Sequence, residues 1–191
     1  MIQRGQSITN HVTGETLVFR ATSADTNGES VVVEAFVTPD GAVAAAHVHP
    51  SQAESFEIVA GELEFRVGRK TVVARAGDRV VVSAGTPHRF RNVGAETAHF
   101  VCEVTPALGF EQLIETMFSL ANDGKVNRKG MPNPLRLAVI ANHHFGDVRL
   151  PFPPAWLQRL GLLFGAPIGR LLGYRPTYEA AAPQAPTAFG I

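Results

Sequence analysis

Two glycine-bounded blocks constrain the fold most, Gly41-x5-His47-x-His49-x4-Glu54-x6-Gly61 and Gly77-x10-His88-x3-Asn92. They lie in a run of short β-rich segments at Thr16 to Thr22, Ser30 to Thr38, Val43 to His49, Glu54 to Val59 and Glu62 to Val67, then Thr71 to Arg75, Arg79 to Ser83, His88 to Asn92 and Thr97 to Thr105. Gly, Pro, Asp and Asn separate them, so the region predicts an antiparallel sandwich or barrel of about nine strands. Leu63, Phe65 and Val67 alternate with Glu62, Glu64 and Arg66, which gives one buried and one wet face.

The blocks also carry chemistry. His47 and His49 are two apart, so on a strand both side chains leave one face while Val48 leaves the other. Glu54 shares parity with Phe56 and Ile58, which places a carboxylate on an otherwise apolar inward face. His88 has Phe90 and Asn92 on its parity and Arg89 and Arg91 on the opposite one. Three neutral imidazoles and one carboxylate suit a Zn, Fe, Mn, Ni or Co ion and leave one or two positions for water or substrate.

The segments GAVAAAHVHPSQAESFEIVAG and GDRVVVSAGTPHRFRN resemble the two signature motifs of the cupin superfamily. The first agrees at every signature position. The second departs only at Ser83, where the family usually has proline, a change that bears on turn stiffness more than on ligation. The resemblance covers roughly residues 30 to 105, about one small domain. It implies a mainly β fold, an antiparallel double-stranded β-helix (jelly-roll barrel) of the small single-barrel type, to which the sequence pattern after Pro106 adds C-terminal α-helices. It also implies His47, His49, Glu54 and His88 as ligands of one divalent transition-metal ion, and pairing of barrels into a homodimer.

Composition agrees with a globular protein. The 191 residues suffice for one domain plus an appendage. Net charge is zero and no Lys/Arg cluster occurs, so nucleic acid is not an expected partner. The single cysteine, Cys102, excludes an internal disulfide and reads as a small core residue. MIQRGQSITNHVTGE lacks the apolar stretch of a secretory signal, which makes the cytoplasm the expected location.

After Pro106 the pattern changes. Phe110, Leu113, Ile114, Met117, Phe118 and Ala121 recur at helical spacing over Phe110 to Asn122. Leu135 to Phe145 reads as a second helix, and Ala155 to Tyr174 as a third apolar stretch interrupted by Pro167. The organisation expected is a barrel domain over 1–106, a helical extension over 107–175 and a Pro/Ala-rich, extended or disordered tail over 176–191. Trp156, Tyr174, Arg159 and Arg170 suit a membrane interface. The two arginines and Pro167 argue against a span, and packing on the barrel or on a partner subunit is preferred. His143 and His144, adjacent on a helix, cannot chelate one ion together and read as C-terminal histidines whose partial positive charge suits the dipole. His11 reads as a surface residue. His99 is expected to face away from the interior, opposite Phe100, Cys102 and Val104.

The function expected is a metal-dependent oxidoreductase, dioxygenase-like, acting on a small organic substrate. Phe56, Phe65, Phe90 and Phe100 would form the substrate pocket and exclude water, and Glu54 would be the candidate catalytic base as well as a ligand. The alternatives are a metal-dependent isomerase and a non-catalytic small-molecule-binding or sensor protein.

Overall fold

The computed structural model describes residues 2–179. Nine strands precede three helices: β1 (Ser7–Asn10), β2 (Glu15–Ala21), β3 (Val31–Val37), β4 (Ala53–Ala60), β5 (Glu62–Val67), β6 (Lys70–Arg75), β7 (Arg79–Val82), β8 (His88–Asn92), β9 (Ala98–Thr105), α1 (Phe110–Asn122), α2 (Pro134–His143) and α3 (Ala155–Leu171). Every strand pairing is antiparallel, in a six-stranded sheet ordered β1-β2-β3-β9-β4-β7 and a three-stranded sheet ordered β6-β5-β8.

The two-residue period of the sequence places the core between the sheets. Val31, Val33, Ala35 and Val37 on β3, Phe100, Cys102 and Val104 on β9, Phe56 and Ile58 on β4, and Leu63 and Phe65 on β5 are all buried. Glu54 and His88 occupy the same inward rows and are equally buried. His99 faces outward, as its parity predicts, and its Nε2 lies 2.6 Å from Glu34 Oε1. Gly61 makes the β4–β5 turn at φ 80°, and a Cβ there would lie 2.7 Å from Ala98 Cα, so both conformation and space require glycine.

Val43 to His49, expected as a strand, is not one. The chain bends at Ala44 and Ala45, and only isolated bridges remain, Ala42 to Arg91, His47 to His88 and Val48 to Arg149. The last of these comes from the C-terminal extension, which takes the hydrogen-bonding edge of the segment that β8 does not use. Conversely, β1 was not expected. Four residues, Ser7–Asn10, carry no readable alternation, and pairing with β2 makes the strand.

The helices depart less. α1 has the predicted bounds, and α2 begins where the Asn133 side chain accepts from Arg136 N at 2.9 Å with Pro134 in the first turn. α3 continues through Pro167 rather than being interrupted there. The cost of an internal proline, about 3 kcal/mol, is offset by close packing on α2. A Cβ on Gly165 would lie 3.1 Å from Ala138 Cβ, and one on Gly169 2.6 Å from Leu135 O, so small residues let the two helices approach. Several large apolar side chains of α3 therefore point outward, with Trp156 69% and Phe164 68% exposed. Among the described residues no helix is long and apolar enough to cross a membrane. Of the expected tail, residues 180–191 lie outside the described residues, whereas Tyr178 N donates to Thr116 Oγ1 on α1 at 3.2 Å.

Candidate metal centre

Four side chains converge where β4, β8 and the bent segment before Pro50 meet. His47, His49, Glu54 and His88 each offer one ligand atom, and these atoms all lie within 4.8 Å of one another. The ring centroids of His47 and His88 are 4.3 Å apart, and those of His47 and His49 5.0 Å. The cluster can hold a metal ion, and the hydrogen bonds of its three imidazoles show that the donor set fits one.

Each imidazole has its Nδ1 against a carbonyl oxygen. His47 Nδ1 lies 2.9 Å from Ala45 O, and His88 Nδ1 3.1 Å from Thr86 O. His49 Nδ1 lies 2.8 Å from Asp147 O and 3.0 Å from Gln52 Oε1. Carbonyl oxygens only accept, so Nδ1 carries a proton in all three rings, which leaves Nε2 as the nitrogen that can turn to a metal. Gln52, buried, is itself fixed because its Nε2 donates to Pro106 O at 2.9 Å and Ala107 O at 2.8 Å.

The electrostatics agree. Glu54 Oε1 lies 3.6 Å from His49 Nε2, and Oε2 lies 2.5 Å from His88 Nε2. Although close, Oε2 has no hydrogen bond of acceptable geometry, which leaves a buried carboxylate oxygen suited to a cation. Burial would push Glu54 up, but the contact with His88 and the charges of the three imidazoles outweigh it and hold the carboxyl below the ordinary range. Burial, reinforced by the charge of His88, lowers His47 to about 4. For His88 burial acts downward too, yet the neighbouring Glu54 carboxylate raises it overall.

The other signature residues build the site without entering it. Asn92 Nδ2 donates to Val37 O and Glu96 O, both at 2.8 Å, and Asn92 Oδ1 accepts from Gly94 N at 2.9 Å. Asn92 N donates to Gly41 O at 2.8 Å, so the outermost residues of the two blocks are bonded to each other. Ser83, where proline is usual, keeps its turn through Thr86 N to Ser83 O at 3.1 Å, and Gly85 N donates to His49 O at 2.8 Å.

The cluster opens into a cavity of about 650 Å³ whose wall is mostly apolar. Phe56, Phe90 and Phe100 line it. Phe65 does not. It is fully buried behind them, its ring centroid 5.0 Å from that of Phe56. The opposite wall consists of the extension, with Ile114 and Met117 from α1, Ile140 from α2 and Leu162 from α3. The amphipathic pattern of α1 predicts a buried face, and the structure shows that this face roofs the site.

Glu15 and His144 also line the cavity, which local spacing does not reveal. Glu15 opens β2, and burial raises its carboxyl from 4.5 to about 7. Its position on the inward parity of Leu17 and Phe19 was the available signal. His144 was expected as a helix-terminal histidine favouring positive charge. It is instead buried against Asp147, and burial holds it below the ordinary histidine range, so the neutral ring is favoured. Cys102 also lines the cavity, and burial pushes its thiol well above the usual range.

Residues 27–104 match a family model described as a cupin domain. A protein named polyketide synthase CurC, from Streptomyces cyaneus, is 37% identical over 60 residues, which is 31% of this chain and 39% of that protein. A structure described as a predicted oxalate decarboxylase from Thermotoga maritima is 21% identical with a TM-score of 0.49, over 56% of this chain and 99% of that one. A structure described as a cupin-superfamily sugar phosphate isomerase from Silicibacter pomeroyi is 19% identical with a TM-score of 0.45, over 55% of this chain and 71% of that one.

Proposed function

Because this is a cupin-superfamily protein, a single cupin domain followed by C-terminal helices, we propose that it is a metal-dependent enzyme acting on a small, largely apolar organic molecule. Its chemistry on this reading is oxidoreductase in type, dioxygenase-like. The observation that carries it is the convergence of three imidazoles and the Glu54 carboxylate at the wall of a cavity of about 650 Å³, a volume suited to a molecule of drug size. Residues 1–106 hold the site and residues 107–175 roof it.

His47, His49, Glu54 and His88 would hold one divalent ion of Fe, Mn, Ni, Zn or Co. Bound there, it supplies a Lewis-acid centre with open positions and, where redox-active, access to dioxygen chemistry. The protein's own part is to orient and to exclude water. Phe56, Phe90 and Phe100 form an apolar wall, with Phe65 supporting them from behind, and the helices close the opposite side. Glu54 serves as a ligand and as the base beside it. The Streptomyces cyaneus relative is named a polyketide synthase, and a substrate of polyketide size and aromatic character suits this wall. The expected working form is a cytoplasmic homodimer, and sedimentation measures its stoichiometry.

A second reading, metal-assisted isomerisation, is favoured by Glu15 and His144, two groups in the cavity able to move protons. Elemental analysis of protein purified without added ions, followed by dioxygen uptake by iron-loaded protein over a panel of phenolic and polyketide-like compounds, tests the proposal. Substrate turnover without dioxygen uptake would favour isomerisation. Tight binding without any turnover would leave a ligand-binding protein.

A further inference from the structure

We infer that His144, oriented by Asp147, accepts a hydrogen bond from a hydroxyl-bearing ligand in the cavity. The inference rests on the reading above only in taking the cavity as the place where a small organic molecule binds.

His144 follows the last turn of α2 and is 1% exposed, yet it lines the same cavity as the four-residue cluster. Its Nδ1 lies 3.0 Å from Asp147 Oδ2. An ionised carboxylate only accepts, so Nδ1 carries the proton and donates, and Nε2 keeps its lone pair. That Nε2 is buried and has no hydrogen-bond partner. Among the described residues, only Glu54 Oε2 and His144 Nε2 combine burial, absence of a partner and a place in the cavity wall. The first belongs to the metal-binding cluster. The second is a buried acceptor whose desolvation nothing in the protein repays.

The surroundings are shaped around this pair. A Cβ on Gly109 would lie 2.4 Å from Asp147 Oδ2 and 2.9 Å from His144 Nδ1, so the approach of the α1 backbone depends on glycine. The carboxylate thereby sits at the N-terminal end of a 13-residue helix. The main-chain oxygen of the same Asp147 accepts from His49 Nδ1, so one residue orients both a cluster histidine and His144.

The matching ligand is a largely apolar molecule with one ionisable hydroxyl, a phenol or an enol, because the remaining wall is built from side chains such as Phe90, Phe100, Met117 and Ile140. The ligand O–H donates to Nε2, and the proton stays on oxygen. Asp147 is a positioning residue.

The test uses the full chain, as purified and after zinc loading, with 2-naphthol as probe and naphthalene as its hydroxyl-free analogue. Calorimetry should show 2-naphthol binding at least about tenfold more tightly than naphthalene, since a site with an unpaired polar group discriminates against a ligand that cannot pair it. His144→Phe should bind the two alike and retain its metal. Equal affinities in the wild type, failure of both to bind, or a preference kept by the variant would overturn the proposal. Histidine-labelled wild-type protein needs no variant. The nitrogen resonances of His144 should show an unprotonated Nε2 in the free protein that moves toward the protonated shift with 2-naphthol. Asp147→Ala should move the proton from Nδ1 toward Nε2. An Nε2 protonated from the start, or unmoved at saturating probe, overturns the proposal. Failure of the metal reading would show separately, as absence of metal from the wild type, and leaves these nitrogen measurements intact.

Discussion

The main-chain oxygen of Asp147 lies 2.8 Å from Nδ1 of His49, although the two residues are 98 positions apart. The helical extension is thus bonded directly to a residue of the metal-binding cluster. The neighbouring exchange of backbone hydrogen bonds between Val48 and Arg149, at 2.8 and 3.0 Å, fixes this docking. A cluster built on β4, β8 and the bent segment before Pro50 takes part of its orientation from a loop between two helices.

Gln52 is the second support of His49. Gln52→Leu should lower metal affinity about 10- to 100-fold, because His49 loses an outer partner that fixes its tautomer. It should also destabilise the fold by about 1–3 kcal/mol, since the carbonyls of Pro106 and Ala107 lose their donor. Chelator competition measures the first effect and urea denaturation the second. Unchanged affinity in a folded variant would remove Gln52 from the account.

Replacing His49 or His88 by alanine should abolish most metal retention while leaving a folded barrel, as read by elemental analysis and circular dichroism. Divalent metal at about 100 times its dissociation constant should stabilise the wild type by about 2.7 kcal/mol and these variants far less. Equal stabilisation of all three would place the metal elsewhere.

Gly61→Ala should destabilise the protein by about 2–3 kcal/mol without changing metal selectivity. The φ of 80° is strained for alanine, and the added Cβ would lie 2.7 Å from Ala98 Cα. Thermal denaturation of the two proteins, each with and without metal, checks this.

Glu15 makes stability depend on pH in a definite sense. Its folded pKa of about 7 lies above the ordinary 4.5, so the folded state holds the proton more tightly. Its contribution is fully present below pH 4.5 and is lost as pH rises through about 7. The loss amounts to about 3 kcal/mol by linkage. Glu15→Gln cannot ionise, so its stability relative to wild type should rise by up to that amount between pH 4.5 and 8. A pH-independent difference in urea denaturation would show that Glu15 is not buried as described.

The legible part of the site was the part carried by local spacing. His88, Phe90 and Asn92 share a face because side chains alternate along a strand, and Glu54 shares its row with Phe56 for the same reason. His47 and His49 converge as their spacing predicts, although bridges to His88 and Arg149 stand in place of the strand that was expected. Phe65 shares the aromatic pattern of Phe56 and Phe90 but stands behind them, because parity assigns a face and not a depth.

What the sequence by itself determined, then, is an antiparallel barrel, its four candidate ligands and the presence of three apolar helical segments. These follow from periods of two and 3.6 residues and from turn chemistry, which act over a few neighbours along the chain. Only the tertiary structure decided that the helices roof the cavity, that Asp147 supports His49, and that Glu15 and His144 reach the same space. Those relationships join residues far apart in sequence through single hydrogen bonds and shared burial. An amphipathic pattern records that a face must be covered, but the packing of the whole chain decides what covers it.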